Sequence, residues 1–406
     1  MSGSLSHLRV LDLSRILAGP WCAQLLGDLG AEIIKVERPG AGDDTRGWGP
    51  PFLETEDGQQ GDAAYFLCAN RNKGSVTIDF TQPQGQELIR QLVADCDILI
   101  ENFKVGGLKK YGLDYEALAE INPRLIYCSI TGFGQTGPYA PRAGYDFLIQ
   151  AMGGLMSITG RKDGEPGSGP QKVGVALTDI LTGLYGAVGI LAALADREHT
   201  GKGQHIDVAL LDVHVACLAN QAMNYLVGGT APVALGNSHP NIVPYQDFAT
   251  SDGHMVIAVG NDEQFARLCT ALGDASLASD QRYATNRGRV ENRAVLVPRL
   301  DELTRQRKTA EWVALLEQVG VPCGPINDLE QVFQDPQIIA RGLKVDLPHA
   351  AAGSAPSVAN PLRLSRTPVD YRTAPPVLGG DTERVLKDRL GLDADQLEKL
   401  RAAGIV

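Results

Sequence analysis

The sequence predicts an α/β protein in which a large, doubly wound, Rossmann-like domain is followed by a smaller α/β domain. Strand-like and helical segments alternate from about residue 8 to residue 131, and strands joined by helical crossovers build parallel sheets. After Gly228 a connector rich in Gly, Pro and Asn interrupts this alternation. A hairpin pattern and further helices follow the connector, which indicates a second, smaller unit.

The large domain is predicted to begin with a strand, a helix and a strand, and the same alternation then extends it. A glycine-rich helix with apolar side chains at i, i+3, i+4 and i+7 follows from residue 179, and a last strand and helix complete this part. The strands are expected at 8–14, 31–37, 75–80, 97–103, 125–131 and 205–211, and the other helices at 19–30, 83–95, 115–123 and 212–226.

The domain boundaries follow from these patterns. The first part of the large domain is predicted over residues 1–227, and the smaller domain with its connector over residues 228–330. The elements expected in the smaller domain are a hairpin that turns at 251–253 and helices that include 263–273 and 309–320. Residues 331–406 form a separate C-terminal part that ends in two short helices.

Composition excludes several classes of partner. The 406 residues carry a net charge of -11, and 44% are apolar and 21% charged, as in an ordinary globular protein. This acidic balance argues against nucleic acid or an anionic membrane as the main partner, because both attract basic surfaces. Seven cysteines without a CxxC pair indicate neither a disulfide framework nor a zinc site, so a cytoplasmic location is expected. The longest apolar run, at about 180–195, is interrupted by Thr182 and three glycines, so no membrane helix is expected.

One glycine-rich motif does not fit a dinucleotide-binding loop. GFGQTG at 132–137 matches the GxGxxG pattern and follows a strand, but Pro138 and Pro141 prevent a helix from starting there. The pyrophosphate would have no helix N-terminus to bind, so the loop is either a plain turn or a backbone that approaches a ligand closely. The seven histidines show no metal-ligand spacing, and neither a metal nor a redox cofactor is expected.

Asp179 is a lone carboxylate at the start of the glycine-rich helix. Two interpretations are open. Thr178 or Asp179 is the N-cap of the helix, which composition alone favours. Alternatively, Asp179 is a nucleophile for acyl chemistry, because a carboxylate can form a covalent acyl intermediate.

The segment around Asp179 resembles the nucleophile region of the family III CoA-transferases, which include formyl-CoA transferase and carnitine CoA-transferase. The resemblance continues through VLDLSRILAGP, LGAEIIKVERPGAGDDTR, ANRNKGSVTIDF, ILIENF, YCSITGFGQTGPY and GVPCGPINDLEQVFQDPQ. Within the family, LGDLGAEIIKVERPGAGDDTRGWGPPF and RAGYDFLIQAMGGLMSITG are most similar to the branch that moves CoA between succinate and dicarboxylates such as glutarate. The resemblance implies an interlocked homodimer in which residues 331–406 return to the large domain.

The resemblance also implies where CoA binds. Family members contact CoA at the positions that are Arg38, Lys73, Asn102, Phe103 and Lys110 in this chain. Lys110 stands where an Arg is usual, which keeps the charge but loses the bidentate fork. The loop that lines the thioester end in the family is Gly132, Phe133 and Gly134 here.

A dicarboxylate substrate needs a cation for its distal carboxylate, and Arg15, Arg46 and Arg71 lie in segments that match the family's site. Leu17 stands where formyl-CoA transferase has a Gln near the acyl group, so that selectivity is not carried over. His239 lies in a loop near the predicted domain junction, where ligand pockets often form. It is either a substrate contact or a plain loop histidine.

The implied reaction moves CoA from succinyl-CoA to a free carboxylic acid through an aspartyl anhydride and an aspartyl-CoA thioester on Asp179. Backbone N–H groups at the helix start and at 132–134 are candidates to hold the oxyanion. One alternative is an acyl-CoA racemase, but racemases of this superfamily place a His where the chain has Tyr145, which is a poor base at neutral pH. The other alternative is a CoA-binding protein without catalysis, in which Asp179 is only a helix cap.

Overall fold

The chain divides into two units in the computed structural model, which describes residues 3–406. The first unit contains residues 3–155, 173–228 and 337–406, and the second contains residues 156–172 and 229–336. The mixed α/β class predicted from the sequence is confirmed. The segment 156–172, which the sequence pattern left in the large domain, groups with the second unit, where the Gly236 N–H donates to the Gly160 carbonyl at 3.0 Å.

The strands and helices are numbered separately in chain order. The strands are β1 (Arg9–Asp12), β2 (Glu32–Glu37), β3 (Phe52–Glu54), β4 (Gln60–Ala63), β5 (Lys73–Thr77), β6 (Ile98–Glu101), β7 (Ile126–Thr131), β8 (His205–Ala209), β9 (Tyr245–Ala249), β10 (His254–Ala258), β11 (Cys323–Pro325), β12 (Lys344–His349) and β13 (Gly353–Val358). The helices are α1 (Ala18–Asp28), α2 (Ala64–Leu67), α3 (Pro83–Ala94), α4 (Tyr115–Ile121), α5 (Asp146–Met152), α6 (Leu155–Ile158), α7 (Leu177–Thr200), α8 (Leu210–Cys217), α9 (Ala219–Gly228), α10 (Asp262–Ala271), α11 (Ser276–Ser279), α12 (Asn286–Glu291), α13 (Arg293–Thr304), α14 (Thr309–Gln318), α15 (Leu329–Gln334), α16 (Pro336–Ala340), α17 (Thr382–Leu390) and α18 (Ala394–Ala402). Short 3-10 turns cover Asp44–Gly47 and Lys109–Tyr111.

Six strands of the first unit form one sheet in the order β5-β2-β1-β6-β7-β8, and every pair in it is parallel. Alternate side chains face opposite layers: Val10 and Ile98 pack towards α1 and α7, whereas Leu11 and Leu99 pack towards α3, α4 and α17. The chain leaves β1 towards β2 on one side and later returns to β6 on the other. In sheets of this kind, such a reversal opens a crevice at the carboxyl ends of the strands.

The long helix α7 lies along α1 in the core of the first unit, and its glycines allow the close approach. A Cβ on Gly183 would lie 2.7 Å from the Ala18 carbonyl oxygen, and one on Gly186 would lie 3.2 Å from the Cys22 sulfur. Judged by length and apolar composition alone, α7 is able to cross a membrane. In this fold α7 contributes residues such as Ile190 to the main apolar cluster of the first unit.

Two predictions about loops and helices have different outcomes. No helix starts at the glycine-rich loop after β7, and the next helix begins only at Asp146, as Pro138 and Pro141 predicted. The single helix predicted at 212–226 is instead two helices, α8 and α9. They are separated where Ala219 adopts a positive φ of 44°, which interrupts regular helical geometry.

The C-terminal residues 337–406 pack within the first unit, and a buried carboxylate joins them to its beginning. Asp28, at the end of α1, accepts hydrogen bonds from Arg71 at 2.6 and 2.9 Å, from Asn72 at 2.8 Å and from Asn360 at 2.9 Å. Arg372 adds three bonds to the carbonyls that follow α1. The first unit, the larger of the two, is therefore built from both ends of the chain.

The second unit has its own sheet and core. Strands β9, β10 and β11 form an antiparallel sheet in the order β11-β10-β9, and the β9–β10 hairpin turns where the sequence predicted. Helices α10 to α14 enclose an apolar cluster around Phe265 and Trp312. Arg289 is fully buried there and is held by Asp262 at 2.7 Å and the Val243 carbonyl at 2.7 Å.

Candidate active site

A cavity of about 550 Å³ opens at the carboxyl edge of the parallel sheet, entirely within the first unit. Its walls are the segments that follow β1, β2, β5, β6 and β7, together with the first turn of α7. The predicted site residues that line it are Arg15, Arg38, Asn102, Phe103, Lys110, Gly132 and Asp179. Residues that are far apart in sequence are thus brought together in the crevice that the strand order creates.

Asp179 is the third residue of α7 and does not cap it. The N-cap position is Ala176, and no side chain makes a capping hydrogen bond there, so the N-cap interpretation of Thr178 or Asp179 is wrong. Asp179 is only 9% exposed, and within residues 3–406 its carboxylate has no hydrogen-bond donor. A buried carboxylate without partners is unusual, because burial disfavours charge unless something compensates it. Asp179 is therefore not a helix cap but an unpaired carboxyl group at the cavity wall.

Burial, and then the negative charge of Asp146, raise the pKa of Asp179 to about 7. Asp146 is fixed beside the helix start because its Oδ1 accepts the Thr178 N–H at 2.8 Å, while Gln150 donates to its other oxygen at 2.6 Å. A free aspartate is fully ionised at pH 7, whereas the raised pKa of Asp179 favours its neutral form far more at that pH. Sequence patterns showed the position of Asp179 but not this effect of its neighbour.

The loop after β1 shapes the cavity through a strained residue. Ile16 has a φ of +72°, which is rare for a β-branched side chain. Asn102 bonds both backbone groups of Arg15, at 2.9 and 2.6 Å, and Asp43 accepts the Ile16 N–H at 3.2 Å. Such strain persists only where the surroundings hold it. Asn102, predicted as a CoA contact, thus also fixes the shape of the cavity wall.

Lys73 was predicted to contact CoA, but it does not line the cavity. Its ammonium group is fully buried and bonds to Asp12 at 3.0 Å, Asn70 at 3.0 Å and the Pro20 carbonyl at 2.9 Å. Burial lowers the pKa of Lys73 to about 8, partly offset by Asp12. These contacts indicate that Lys73 supports the site from beneath.

Arg46 and Arg71, two of the three candidates for the distal carboxylate, are also occupied by internal acids. Arg46 forms a bidentate pair with Glu37 at 2.7 and 2.8 Å and a further pair with Asp62 at 2.7 Å. Arg71 pairs with Asp28 in the buried cluster described above. Neither residue lines the cavity, and both guanidinium groups are already neutralised within the fold.

In the glycine-rich loop after β7, Gly132 lines the cavity, whereas Phe133 and Gly134 do not. Gly132 lines the cavity where two backbone segments touch, since a Cβ on it would lie 2.5 Å from the Gly144 Cα. Phe133 is buried beneath the wall. The Gly134 N–H donates to the Thr131 hydroxyl at 3.0 Å and is therefore not available to an oxyanion. Close backbone approach, one of the two alternatives for this motif, is the one observed at Gly132.

On the segments that follow β5 and β6, positively charged side chains lie close to a group of aromatic rings. Phe103 and Tyr111 each meet Phe80 edge to face, at centroid distances of 5.6 and 5.8 Å, and the Lys110 ammonium lies 4.6 Å from the centre of the Tyr111 ring. Exposed Arg38 also lines the cavity. Positive charge beside aromatic rings suits a ligand that carries both phosphates and a flat base.

His239 belongs to the second unit, where a residue of its own loop forms a hydrogen bond with its ring. Its Nδ1 accepts the Asn241 N–H at 3.1 Å, and its ring lies 5.2 Å from that of Tyr245. Burial and the nearby Arg293 lower the pKa of His239. Its role as a substrate contact stays a prediction.

Comparison with known proteins agrees with this geometry. The sequence model of "CoA-transferase family III" matches residues 5–382. A succinate–glutarate CoA-transferase of Agrobacterium fabrum is 51% identical over 95% of both chains, and a succinyl-CoA:glutarate CoA-transferase of Mus musculus is 46% identical over 99% of this chain and 90% of its own. A crystal structure of a CAIB/BAIF family protein from Brucella suis superposes with a TM-score of 0.84 at 53% identity, over 96% of this chain and 100% of that one. The resemblance predicted from the sequence is confirmed.

Proposed function

The chain belongs to CoA-transferase family III, and from that premise we propose that it moves CoA from succinyl-CoA to a free dicarboxylate with Asp179 as the covalent nucleophile. One observation carries the assignment of the nucleophile: Asp179 is a carboxylate at the cavity wall with no partner within residues 3–406. The names of the similar proteins support glutarate as the acceptor. The alternative of a CoA-binding protein without catalysis required Asp179 to be only a helix cap. Asp179 does not cap α7, which weighs against that alternative.

In the first half of the reaction, the ionised Asp179 carboxylate attacks the thioester carbonyl of succinyl-CoA. The C–S bond breaks, so that CoA leaves as a thiolate and a succinyl-aspartyl anhydride remains. The thiolate then attacks the aspartyl carbonyl of this anhydride and expels succinate. Asp179 now carries CoA as a thioester, and the energy of the original thioester is kept.

In the second half, an acceptor carboxylate attacks the aspartyl thioester and releases the CoA thiolate. The thiolate attacks the acceptor acyl carbonyl of the new anhydride, which forms the product acyl-CoA and frees Asp179. Every step needs close alignment of an anionic nucleophile, a carboxylate or a thiolate, with a neutral acyl carbonyl. Holding reactants in place can contribute about 7–11 kcal/mol in favourable cases.

The residues around the cavity have separate tasks in this scheme. Arg38, Lys110 and the aromatic rings bind the phosphates and base of CoA, and the strained loop after β1 forms the wall beside the acyl group. The backbone N–H of Asp179 has no acceptor within the described residues and is a candidate donor to the oxyanion. The Gly134 N–H is not used, because Thr131 already binds it.

A homodimer is part of the proposal. The side of α7 that faces away from the core exposes apolar side chains, among them Leu184, Tyr185 and Val188, and α9 adds Leu226 and Val227. Exposed apolar side chains grouped on one side of a helix favour an interaction site. A second copy of the chain is the occupant that family membership favours.

The decisive experiment is intact-protein mass spectrometry after mixing with succinyl-CoA. The wild-type protein is expected to gain the mass of CoA less one water, and the Asp179→Asn variant is expected to gain none and to transfer no CoA to glutarate. A loaded or active variant would rule out this mechanism.

Stability controls the interpretation of that variant. The folded-state pKa of Asp179 is raised, so its charge costs stability progressively as pH rises from its unfolded pKa to about 7. Asp179→Asn removes the charge and should melt no lower than wild type at pH 8. Lost activity then reflects lost chemistry.

A further inference from the structure

We propose that Arg142 binds the distal carboxylate of the dicarboxylate substrate, an inference that rests on the function proposed above. The reaction joins one carboxylate of the substrate to Asp179, and the second carboxylate needs a cation within the same cavity. Two of the cations that sequence motifs suggested for this task, Arg46 and Arg71, are held by internal acids.

The remaining cations can be sorted by their partners. The cavity is lined by Arg15, Arg38, Lys104, Lys110 and Arg142. Arg15 pairs with Asp44 at 2.7 Å, whereas none of the other four lies within 4.0 Å of an acidic oxygen in the part of the chain that the structure describes. These four are therefore available to an anionic ligand.

These four cations follow different strands of the sheet. Arg38 follows β2, and Lys104 and Lys110 follow β6, where the aromatic rings lie. Arg142 lies on the loop that follows β7, three residues before Tyr145. That loop leads directly to Asp146, whose carboxylate is bonded to the start of α7 next to Asp179. Arg142 is thus the available cation on the segment that connects to the nucleophile.

The Arg142 guanidinium is already oriented. Its central carbon lies 4.6 Å from the centre of the Tyr139 ring and 5.1 Å from that of Phe133, and these two rings are 5.5 Å apart. Contact with ring faces holds a guanidinium by its flat side and leaves the N–H groups on its edge free to bind a carboxylate in a bidentate way. The one polar contact of the side chain, from Nη2 to the Met152 sulfur at 3.8 Å, is weak and easily exchanged.

Charge at the acyl end favours such a cation. The negative charge of Asp146 lies beside the start of α7 and disfavours a second anion there. When the acceptor arrives, Asp179 carries CoA as a neutral thioester, so Asp146 is the acid that repels the incoming dianion. The Arg142 guanidinium offsets this repulsion for a substrate whose second carboxylate reaches it. A monocarboxylate has no group to bind there and gains nothing from Arg142.

The test compares Arg142→Gln with wild type on two acceptors of equal carbon count, glutarate and pentanoate. Loss of one charge-assisted hydrogen-bonded pair is expected to lower kcat/KM for glutarate by about 10- to 100-fold. The value for pentanoate should change by less than about threefold, because the neutral tail never meets the guanidinium. Arg142→Lys should recover only part of the glutarate activity, since it keeps the charge but loses the fork.

Arg38→Gln is the matched control, on the segment that follows β2. It should weaken binding of free CoA, measured by calorimetry, and lower activity with both acids equally. Arg142→Gln should bind free CoA as wild type does. Weaker binding of free CoA, or an equal loss with glutarate and pentanoate, would overturn the inference and place Arg142 among the phosphate contacts or the structural residues. If the wild-type protein transfers CoA to no dicarboxylate, the proposed function itself fails, which is a separate outcome.

Discussion

Asp179, the proposed nucleophile, shows how its surroundings change the ionisation of a single side chain. Its carboxyl group is buried at the start of α7 with no donor within residues 3–406, and Asp146 lies nearby with its own hydrogen bonds to Thr178 and Gln150. Both effects disfavour the ionised form, so the carboxylate that does form is poorly stabilised. A poorly stabilised carboxylate is more basic and a stronger nucleophile than one held in an ion pair.

This environment predicts the pH dependence of the reaction. The pKa of Asp179 is raised to about 7, mainly by burial and then by Asp146, and only the ionised form attacks. We expect kcat/KM for succinyl-CoA to rise about tenfold per pH unit below 7 and to level off above it. Asp146→Asn removes the neighbouring charge, so its profile should level off at lower pH. A flat profile between pH 5 and 8 would contradict this account of the site.

The residue scale also shows what sequence patterns can and cannot predict. The helix pattern marked Asp179 as a lone carboxylate but favoured a helix cap, and only the family resemblance implied a nucleophile. The ion pairs of Arg46 with Glu37 and of Arg71 with Asp28 were not predictable in this way, because the partners lie 9 and 43 residues away and meet only in the folded sheet. An exposed arginine and a buried arginine cannot be told apart in a sequence. Two of the three arginines predicted to bind the substrate, Arg46 and Arg71, therefore turned out to form ion pairs within the fold.

At the scale of elements, α1 packs against α7, the helix that carries the proposed nucleophile Asp179. The glycines of α7 were recognised in the sequence as interruptions of an apolar run. In the structure they are the positions at which α7 touches α1, whose first turn carries Leu17 and Ala18 on the cavity wall. The six strands of the parallel sheet and the β9–β10 hairpin were predicted from periodicity, whereas this close approach depends on the partner helix.

Gly183→Ala tests the helix contact. The added methyl group would lie 2.7 Å from the Ala18 carbonyl oxygen, which is backbone and cannot rotate away, so α1 or α7 has to shift. We expect a loss of about 1–3 kcal/mol in the free energy of unfolding, despite the higher helix propensity of Ala, together with lower activity. Gly189→Ala is the control, because a Cβ there would lie 3.2 Å from the Ile206 side chain, which can move. Its loss in the free energy of unfolding, measured with urea, should be smaller. Equal stability of the Gly183 variant and wild type would show that the helices are not in tight contact.

At the scale of the whole molecule, the large unit depends on residues from both ends of the chain. Hydrogen bonds to Asp28 come from the segment after α2 and from Asn360, which is 332 residues further along the chain. The apolar cluster on one face of the sheet likewise includes Leu11 from β1 and Ile405 near the C-terminus. The sequence pattern alone divided the chain into successive parts, and only the family resemblance implied that the last part returns.

Asp28→Ala should therefore be severely destabilising. It leaves the Arg71 guanidinium and the Asn72 and Asn360 amides without their shared acceptor in a buried place. Breaking a buried pair in this way typically costs about 3–5 kcal/mol. Glu87→Ala removes the exposed partner of Arg90 and should cost less than about 1 kcal/mol. Thermal unfolding of both variants measures the difference, and similar melting temperatures would show that the Asp28 cluster contributes little.

The presence of Ile405 in the same apolar cluster as Leu11 of β1 has a consequence for how the protein is made. The ribosome releases Leu11 long before it releases Ile405, and at typical rates of about 5–20 residues per second the interval is roughly 20–80 s. During that time this face of the growing sheet lacks the side chains that the C-terminal residues contribute, and part of its apolar surface is exposed to the cell. We expect synthesis, rather than the finished fold, to be the stage at which this chain most needs chaperone protection.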